Sequence, residues 1–334
     1  MGCKNINISC FASFLCHVKC PLGTDINQAA LILGEGGLVA IPTETVYGLA
    51  ANALNRDAVA RIFEAKNRPT FDPLIVHCAN FEMVSRVVKH FPEPLKPLVE
   101  QFWPGPLTVV VDKSPEIPDL VTSGLPTVGI RIPNHPLTLN LLQKLDFPIA
   151  APSANPFTYV SPTSAKHVAQ QLGNKIDYIL DGGVCSVGLE STIVRHKNDR
   201  IEVLRLGGLS IEEIQSVSPL PVEIISGKDN VSVPGNFKKH YSNAKEIVIA
   251  HELPPLKHSL TQAWLFFSKP ENADQYTNCF YLTESDDLRE AASNLFKVLR
   301  DLDQPGLEVI YAQWAPHKGL GLAINDRLTR ASAK

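Results

Sequence analysis

Apolar positions recur along the chain with helical spacing in some segments and as short continuous runs in others. Helical spacing at 26–33 follows Thr24-Asp25, which offers an N-cap, and further helices are predicted at 57–66, 81–89 and 94–102. Apolar runs predict strands at 38–42, 74–77, 107–111 and 127–132, and later at 246–250 and 307–311. This interleaving predicts an α/β fold with strands in mixed directions. No G-x-G-x-x-G follows the first strand, which argues against a dinucleotide-binding unit.

Composition narrows the class of protein. The 334 residues are 44% hydrophobic and 19% charged, which is typical of a globular protein with one large and one smaller domain. No apolar run approaches the roughly 20 residues needed to cross a bilayer, so no membrane partner is expected. The net charge of −3 argues against a broadly basic nucleic-acid binder.

The seven cysteines lack disulfide-like spacing, which predicts reduced thiols and a cytoplasmic protein. Cys16, His17 and Cys20 do not form a paired C-x-x-C motif, so no metal site built from protein side chains is predicted. The apolar stretch 8–18 is similar to the core of a signal peptide but lacks a cleavage site. Residues 1–23 are therefore expected to be a disordered or loosely attached extension.

The first candidate binding segment is Lys66-Asn67-Arg68, and a second polar segment, Ser153-Ala154-Asn155, follows later in the chain. A planar guanidinium, a mobile ammonium and neutral donors together suit a triphosphate held without a Walker loop. Taken singly, these residues have ordinary roles at a helix end or in a turn, and His77 would be a core histidine. Arg131 is more informative, because a buried arginine inside an apolar run needs an anionic partner.

Seven motifs in this order resemble the YrdC/Sua5 family: PTETVYGL at 42–49, KNRP at 66–69, PLIVH at 73–77, WPGPLT at 103–108, GIRIP at 129–133, APSAN at 151–155 and ESTIV at 190–194. The C-terminal part, including GLGLAINDR at 319–327, is similar to the longer, Sua5-type members. The resemblance implies a twisted mixed sheet with flanking helices and a small C-terminal α/β domain. It divides the chain into an extension 1–23, a catalytic domain 24–215, a linker or lid 216–245 and a C-terminal domain 246–334.

The resemblance also implies an activity. Family members form threonylcarbamoyl-AMP and pyrophosphate from L-threonine, bicarbonate or CO2, and ATP accompanied by Mg²⁺. A tRNA threonylcarbamoyltransferase then uses the product to modify adenosine 37 of tRNA. Because the N-carboxylate of threonine is itself the nucleophile, catalysis can rest on alignment and charge stabilisation, and no catalytic Ser, Cys or His is needed.

Site residues carried over from the family fall into two groups. The resemblance assigns the nucleotide to Lys66, Arg68, Asp72, Thr127, Ser153, Asn155, Ser161, Arg205 and Tyr241, with Lys66 and Arg68 also in the catalytic role. It assigns threonine to Thr45, His77, Arg131, Ala151 and Ser191. The residue types suit this division, since Arg131 can pair bidentately with a carboxylate while Thr45, His77 and Ser191 can hydrogen-bond an amine or hydroxyl. At Ala151 the contact implied is that of the backbone.

Two departures from the family pattern leave alternatives open. Asp72 stands where the family usually has Asn, so it is expected either to face a metal ion or to point away from the phosphates. In the linker, Ser242-Asn243 replaces the usual Ala-Pro after His240-Tyr241, a change that would make the expected lid more mobile. The alternative functions are a nonenzymatic RNA-binding module and a nucleotide sensor that releases no pyrophosphate.

Overall fold

The structure is a computed structural model that describes residues 20–225, 241 and 245–333. Most of the extension 1–23 and most of the linker 216–245 therefore lie outside the described residues. The helices are α1 (Ile26–Gly34), α2 (Arg56–Lys66), α3 (Phe81–Val87), α4 (Lys96–Phe102), α5 (Asp119–Thr122), α6 (Pro136–Gln143), α7 (Ala165–Leu172), α8 (Ile211–Val217), α9 (Leu288–Asp301) and α10 (Gly321–Ser332). The Asp25 side chain accepts from the backbone N–H groups of Asn27 and Gln28, which confirms the predicted N-cap of α1.

The strands confirm the predicted alternation with helices. They are β1 (Leu22–Gly23), β2 (Val39–Ile41), β3 (Gly48–Asn52), β4 (Ile75–His77), β5 (Leu107–Asp112), β6 (Thr127–Arg131), β7 (Ile149–Ala150), β8 (Tyr178–Leu180), β9 (Thr192–Lys197), β10 (Arg200–Arg205), β11 (Val222–Ile224), β12 (Glu246–Ala250), β13 (Gln262–Ser268), β14 (Cys279–Thr283) and β15 (Val309–Gln313). β15 starts two residues later than predicted, because the backbone N–H of Leu307 donates to Gln304 in a turn.

A large mixed sheet carries the first eleven strands in the order β1-β8-β2-β3-β7-β4-β6-β5-β9-β10-β11. β4 lies beside β6 in parallel, with His77 opposite Arg131, and beside β7 in antiparallel. β5 runs parallel to β9, so Thr108 lies next to the start of β9. β1 pairs with β8, so regular structure begins before the predicted boundary at residue 24.

A second, four-stranded parallel sheet has the order β12-β15-β13-β14. Its core is continuous with residues of the first unit, since Val46 and Leu189 belong to the same buried cluster as Phe296. Gly188, at a φ of +73°, approaches α9 so closely that a Cβ would lie 2.5 Å from the Cα of Ser293. Across the described residues, no helix combines the length and the apolar character that crossing a membrane requires.

Candidate active site

A cavity with about 540 Å³ of empty space, part of it open to solvent, lies among β4, β6 and the loops that follow β7 and precede β9. Its lining residues are Thr43, Thr45, Val46, Gly48, Arg68, Ile75, His77, Arg131, Ala151, Pro152, Ser153, Glu190, Ser191, Arg205 and Tyr241. All five residues predicted to bind threonine are among them. Four of the nine predicted nucleotide residues line the cavity as well: Arg68, Ser153, Arg205 and Tyr241.

Arg131 extends from the end of β6 and is 4% exposed. Its Nε donates to the carbonyl of Gly105 at 3.0 Å, and its Nη1 donates to Thr45 Oγ1 at 2.8 Å. Its Nη2 lies 2.6 Å from Glu44 Oε1, while Glu44 Oε2 accepts from the backbone N–H of Asn134. Glu44 is thus the anionic partner that a buried arginine in an apolar strand requires. The guanidinium is held in one orientation at the cavity wall.

His77 ends β4 next to Arg131 and is also buried. Burial, and secondarily the charge of Arg131, lowers the pKa of His77 to about 3, so the imidazole is neutral near pH 7. Its Nδ1 lies 3.2 Å from the carbonyl oxygen of Ile75, which can only accept, so we assign the proton to Nδ1. Nε2 is then an acceptor for an N–H or O–H group of a ligand.

Ser191 is held from two sides immediately before β9. Arg205 donates through Nε and Nη2 to the Ser191 carbonyl, at 3.1 and 2.8 Å, and through Nη2 to Ser191 Oγ at 3.0 Å. Thr108 Oγ1 lies 2.7 Å from the same hydroxyl. Burial lowers the pKa of Arg205 to about 10, although the negative charge of Glu190 acts to raise it. The guanidinium therefore stays protonated at neutral pH.

Lys66 is placed behind the cavity wall. It ends α2, is 1% exposed, and its Nζ donates to the backbone carbonyls of Ser153 and Asn155. Burial, and secondarily the charge of Arg68, lowers its pKa well below the ordinary value. In this arrangement Lys66 holds the Ser153–Asn155 turn, and the turn rather than the ammonium faces the cavity.

Arg68 faces the cavity and pairs with Asp72 behind it. Arg68 Nη2 lies 2.7 Å from Asp72 Oδ2, and the guanidinium also donates to the backbone carbonyls of Asp72 and Pro73. Asp72 is fully buried and does not line the cavity. Burial raises the pKa of Asp72 to about 6, although Arg68 opposes this increase.

Four further residues that were predicted to bind the nucleotide lie in different places. Asn155 is buried and donates to the carbonyls of Pro156 and Tyr159, while Ser161 Oγ donates to Glu190 Oε1 at 2.7 Å. Thr127 lies in a neighbouring groove, which is largely apolar and shares Ile75 with the cavity. Tyr241 lines the cavity and is buried, stacking on Phe296 with 5.2 Å between ring centroids. The lid itself was predicted over residues that are mostly outside those described.

Sequence reasoning gave no role to Glu44, which pairs with Arg131, or to six lining residues that all belong to the recognised motifs: Thr43, Val46, Gly48, Ile75, Pro152 and Glu190. Thr43 Oγ1 accepts from the backbone N–H groups of Thr45 and Val46, which shapes the loop that carries Thr45. Arg131 could have indicated Glu44, since an arginine buried in an apolar strand requires an acidic residue nearby. Glu190 had no comparable signal, because its cationic partner Arg327 follows the polar residues Asn325 and Asp326 and does not stand inside an apolar run.

The described residues hold no group of three or more His, Cys, Asp or Glu side chains placed to bind a metal ion. The three carboxylates at the site each have an arginine partner: Asp72 with Arg68, Glu44 with Arg131, and Glu190 with Arg327. These side chains therefore do not fit a metal centre held by the protein.

Comparisons with known proteins agree with this architecture. Residues 31–207 match the family model that unites Sua5, YciO and YrdC, described as "Telomere recombination", and residues 209–333 match the threonylcarbamoyl-AMP synthase C-terminal domain. A threonylcarbamoyl-AMP synthase of Pyrococcus abyssi is 42% identical, covering 92% of this chain and 94% of the relative. One from Bacillus subtilis is 38% identical, covering 92% of each. The crystal structure of P. abyssi Sua5 complexed with L-threonine superimposes with a TM-score of 0.83 and 39% identity, over 94% of this chain and 97% of that one.

Proposed function

The chain belongs to the Sua5/YrdC family, and from that premise we propose that it is a threonylcarbamoyl-AMP synthase. The reaction joins L-threonine, bicarbonate or CO2, and ATP to give threonylcarbamoyl-AMP and pyrophosphate. The observation that carries the proposal is the convergence of Thr45, His77, Arg131, Ala151 and Ser191 on one cavity with Arg68 and Arg205. A related Sua5 protein with the same fold was crystallised with L-threonine.

On the threonine side, Arg131 is the group for the substrate carboxylate. Glu44 and Thr45 fix the guanidinium, so little side-chain entropy is lost when a second anion arrives. His77 Nε2 and the Ser191 hydroxyl supply an acceptor and a further polar contact for the substrate amine and hydroxyl. An apolar analogue such as valine would leave these groups unpaired, which is the basis for selecting threonine.

On the nucleotide side, Arg68, Ser153 and Arg205 present donors to the phosphates. The base is assigned to the outer surface beside Thr127, where a largely apolar groove adjoins the cavity at Ile75. Mg²⁺ would arrive with ATP, since the site carboxylates already have arginine partners.

The chemical step is a substitution at the α-phosphorus. A carboxylate oxygen of the threonine N-carboxylate forms the new P–O bond, and the bond to the pyrophosphate oxygen breaks. Alignment of the reactants is worth roughly 7–11 kcal/mol in such cases. Burial raises the pKa of the nearby Cys78 and Cys185 thiols to about 12, so neither is a thiolate nucleophile at neutral pH.

A direct assay tests this proposal. The protein is incubated with ATP, Mg²⁺, bicarbonate and L-threonine, and both pyrophosphate and threonylcarbamoyl-AMP are measured. We expect both products in equal amounts, dependent on threonine and much reduced with valine. ATP binding without threonine-dependent product would favour a nucleotide sensor, and salt-sensitive RNA binding without product would favour the RNA-binding alternative. The expected fate of the product is transfer to tRNA by a separate threonylcarbamoyltransferase.

A further inference from the structure

A buried arginine of the C-terminal unit reaches into the wall of the cavity. Arg327 lies on α10 and is 1% exposed, and its Nε donates to Glu190 Oε2 at 3.0 Å. Its Nη2 donates to the carbonyl of Leu206 at 2.7 Å. Its Nη1 donates to Asp326, which is also paired with Arg330. The guanidinium is therefore fixed on both sides of the boundary between the two units.

Glu190 links Arg327 to residues of the cavity wall. One carboxylate oxygen is held by Arg327, and the other accepts from Ser161 Oγ at 2.7 Å. The following residue, Ser191, accepts a hydrogen bond from Arg205 at its hydroxyl oxygen. The Glu190 backbone carbonyl accepts from the backbone N–H of Gly208 at 2.8 Å. Rotation of the Glu190 side chain would therefore displace Ser161, which is fully buried beside Glu190 and which the family resemblance assigns to ATP.

The positive charge of Arg327 also affects the electrostatics of the cavity. Among the described residues, the cavity wall and the layer directly behind it contain four guanidinium groups, of Arg68, Arg131, Arg205 and Arg327, against the carboxylates of Asp72, Glu44 and Glu190. Replacing Arg327 by a neutral residue would remove one positive charge from beside the Glu190 carboxylate, which lines the cavity. A triphosphate in the cavity would then be attracted less strongly, because charges interact over a longer range in a poorly solvated site.

The same guanidinium supports the Tyr241 ring. Its central carbon lies 5.3 Å from the ring centroid, a cation–π distance, and Tyr241 is itself part of the cavity wall. Arg327 thus contacts two lining residues, Glu190 and Tyr241, from outside the cavity.

We propose that Arg327 is a positioning residue for the nucleotide half of the site, acting through Glu190 on Ser161. The inference rests on the proposed function and deepens it. It assigns to the C-terminal unit a direct part in ATP use: this unit supplies the cation that neutralises and orients a carboxylate in the cavity wall.

The experiment compares Arg327→Gln and Arg327→Lys with a matched control, Arg330→Gln, on the same helix. Arg330 lies three residues further along α10 and pairs with Asp326, the same carboxylate that Arg327 contacts. For Arg327→Gln we expect kcat/KM for ATP to fall roughly 10- to 100-fold, the range for losing a group that orients a site residue. The threonine KM should change less, and Arg327→Lys should restore part of the loss because it retains the charge. Arg330→Gln should stay within about twofold of the unsubstituted protein.

A double-mutant cycle separates positioning from mere stabilisation. Assays are run where circular dichroism shows each variant to be folded, and Arg327→Gln is combined with Ser161→Ala. If Arg327 acts through Glu190 on Ser161, the two losses in kcat/KM for ATP are less than additive. Additive losses, or full ATP efficiency in folded Arg327→Gln, would overturn the proposal.

Failure of the proposed function would be recognised separately, as absence of threonine-dependent product from the unsubstituted protein. Calorimetric titration with ATP would then still test Arg327. Weaker binding to Arg327→Gln than to Arg330→Gln supports the inference, and equal binding, or no binding by the unsubstituted protein, rejects it.

Discussion

Replacing Asp72 by asparagine should stabilise the protein at high pH, although it removes a buried ion pair. Burial raises the pKa of Asp72 to about 6 from an ordinary value of 3.8, so the native state releases this proton later than the unfolded chain. Between these two pKa values the native state binds more protons, and stability falls as the pH rises. The ionised carboxylate therefore costs about 3 kcal/mol above pH 6, because one pKa unit corresponds to about 1.4 kcal/mol.

A competing effect has to be weighed against this estimate. Breaking a buried ion pair by removing one partner commonly costs about 3–5 kcal/mol. Here the pKa of Asp72 already includes the attraction of Arg68, and neither carboxylate oxygen accepts a well-aligned hydrogen bond from the described residues. Arg68 also keeps its two backbone carbonyl partners, of residues 72 and 73. The relief of the desolvation cost should therefore outweigh the loss of the ion pair with Arg68. Asparagine is also the residue that the family pattern favours at this position.

Urea denaturation of both proteins at several pH values measures the difference. At pH 8 we expect Asp72→Asn to be more stable by about 1–3 kcal/mol, and near pH 4 the advantage should shrink to about 0.5 kcal/mol. Equal m-values would show that the two unfolding transitions are comparable. A less stable variant at pH 8, or a difference that does not change with pH, would refute the reasoning.

Three further predictions concern the threonine pocket and the contact between the two units. Arg131→Lys should raise the threonine KM roughly tenfold or more, because lysine lacks the planar guanidinium that donates hydrogen bonds to Thr45 and Gly105. The rate of pyrophosphate release at varied threonine concentration measures this KM, and an unchanged value would contradict the prediction. The low pKa of His77, about 3, means that its contribution to stability is complete above pH 6.5 and is lost as the unfolded chain takes up the proton on acidification. The loss should reach about 3 kcal/mol between pH 7 and pH 4, and His77→Gln should lack it in urea titrations at the two pH values. Gly188→Ala should destabilise by at least about 2 kcal/mol more than the control Gly124→Ala. Both glycines have positive φ, but only Gly188 would clash with the neighbouring helix α9, and equal thermal shifts of the two variants would refute this reason.

Local physics was enough to predict much of the fold. Helical spacing and the Asp25 N-cap located α1, and apolar runs located β2, β4, β5 and β6, because burial of one face and capping of a helix depend on neighbours in sequence. The alternation of helices and strands also predicted the mixed sheet. Very short strands such as β1 and β7 were not predicted, since two residues carry no periodicity and exist only through their partners.

The five residues that the motifs assign to threonine all line one cavity, but the side to which each charged group of the site points depends on tertiary contacts. Lys66 and Arg68 are two residues apart, yet one holds a turn from behind and the other faces the cavity. Asn67 lies between them in the left-handed conformation at the end of α2, where the chain leaves the helix. The sequence alone gave no means to place Asp72 against Arg68 rather than against phosphate.

From the sequence by itself came the fold class, the family and the residue types of the site that we propose for an amino acid and a nucleotide. Only the tertiary structure decided how the charges at that site are paired. Glu190 meets Arg327 137 residues later in the chain, and His77 meets Arg131 through the register of β4 and β6. The physical reason is that the cost of burying a charge depends on which groups surround it in space, and folding brings those groups from distant parts of the chain.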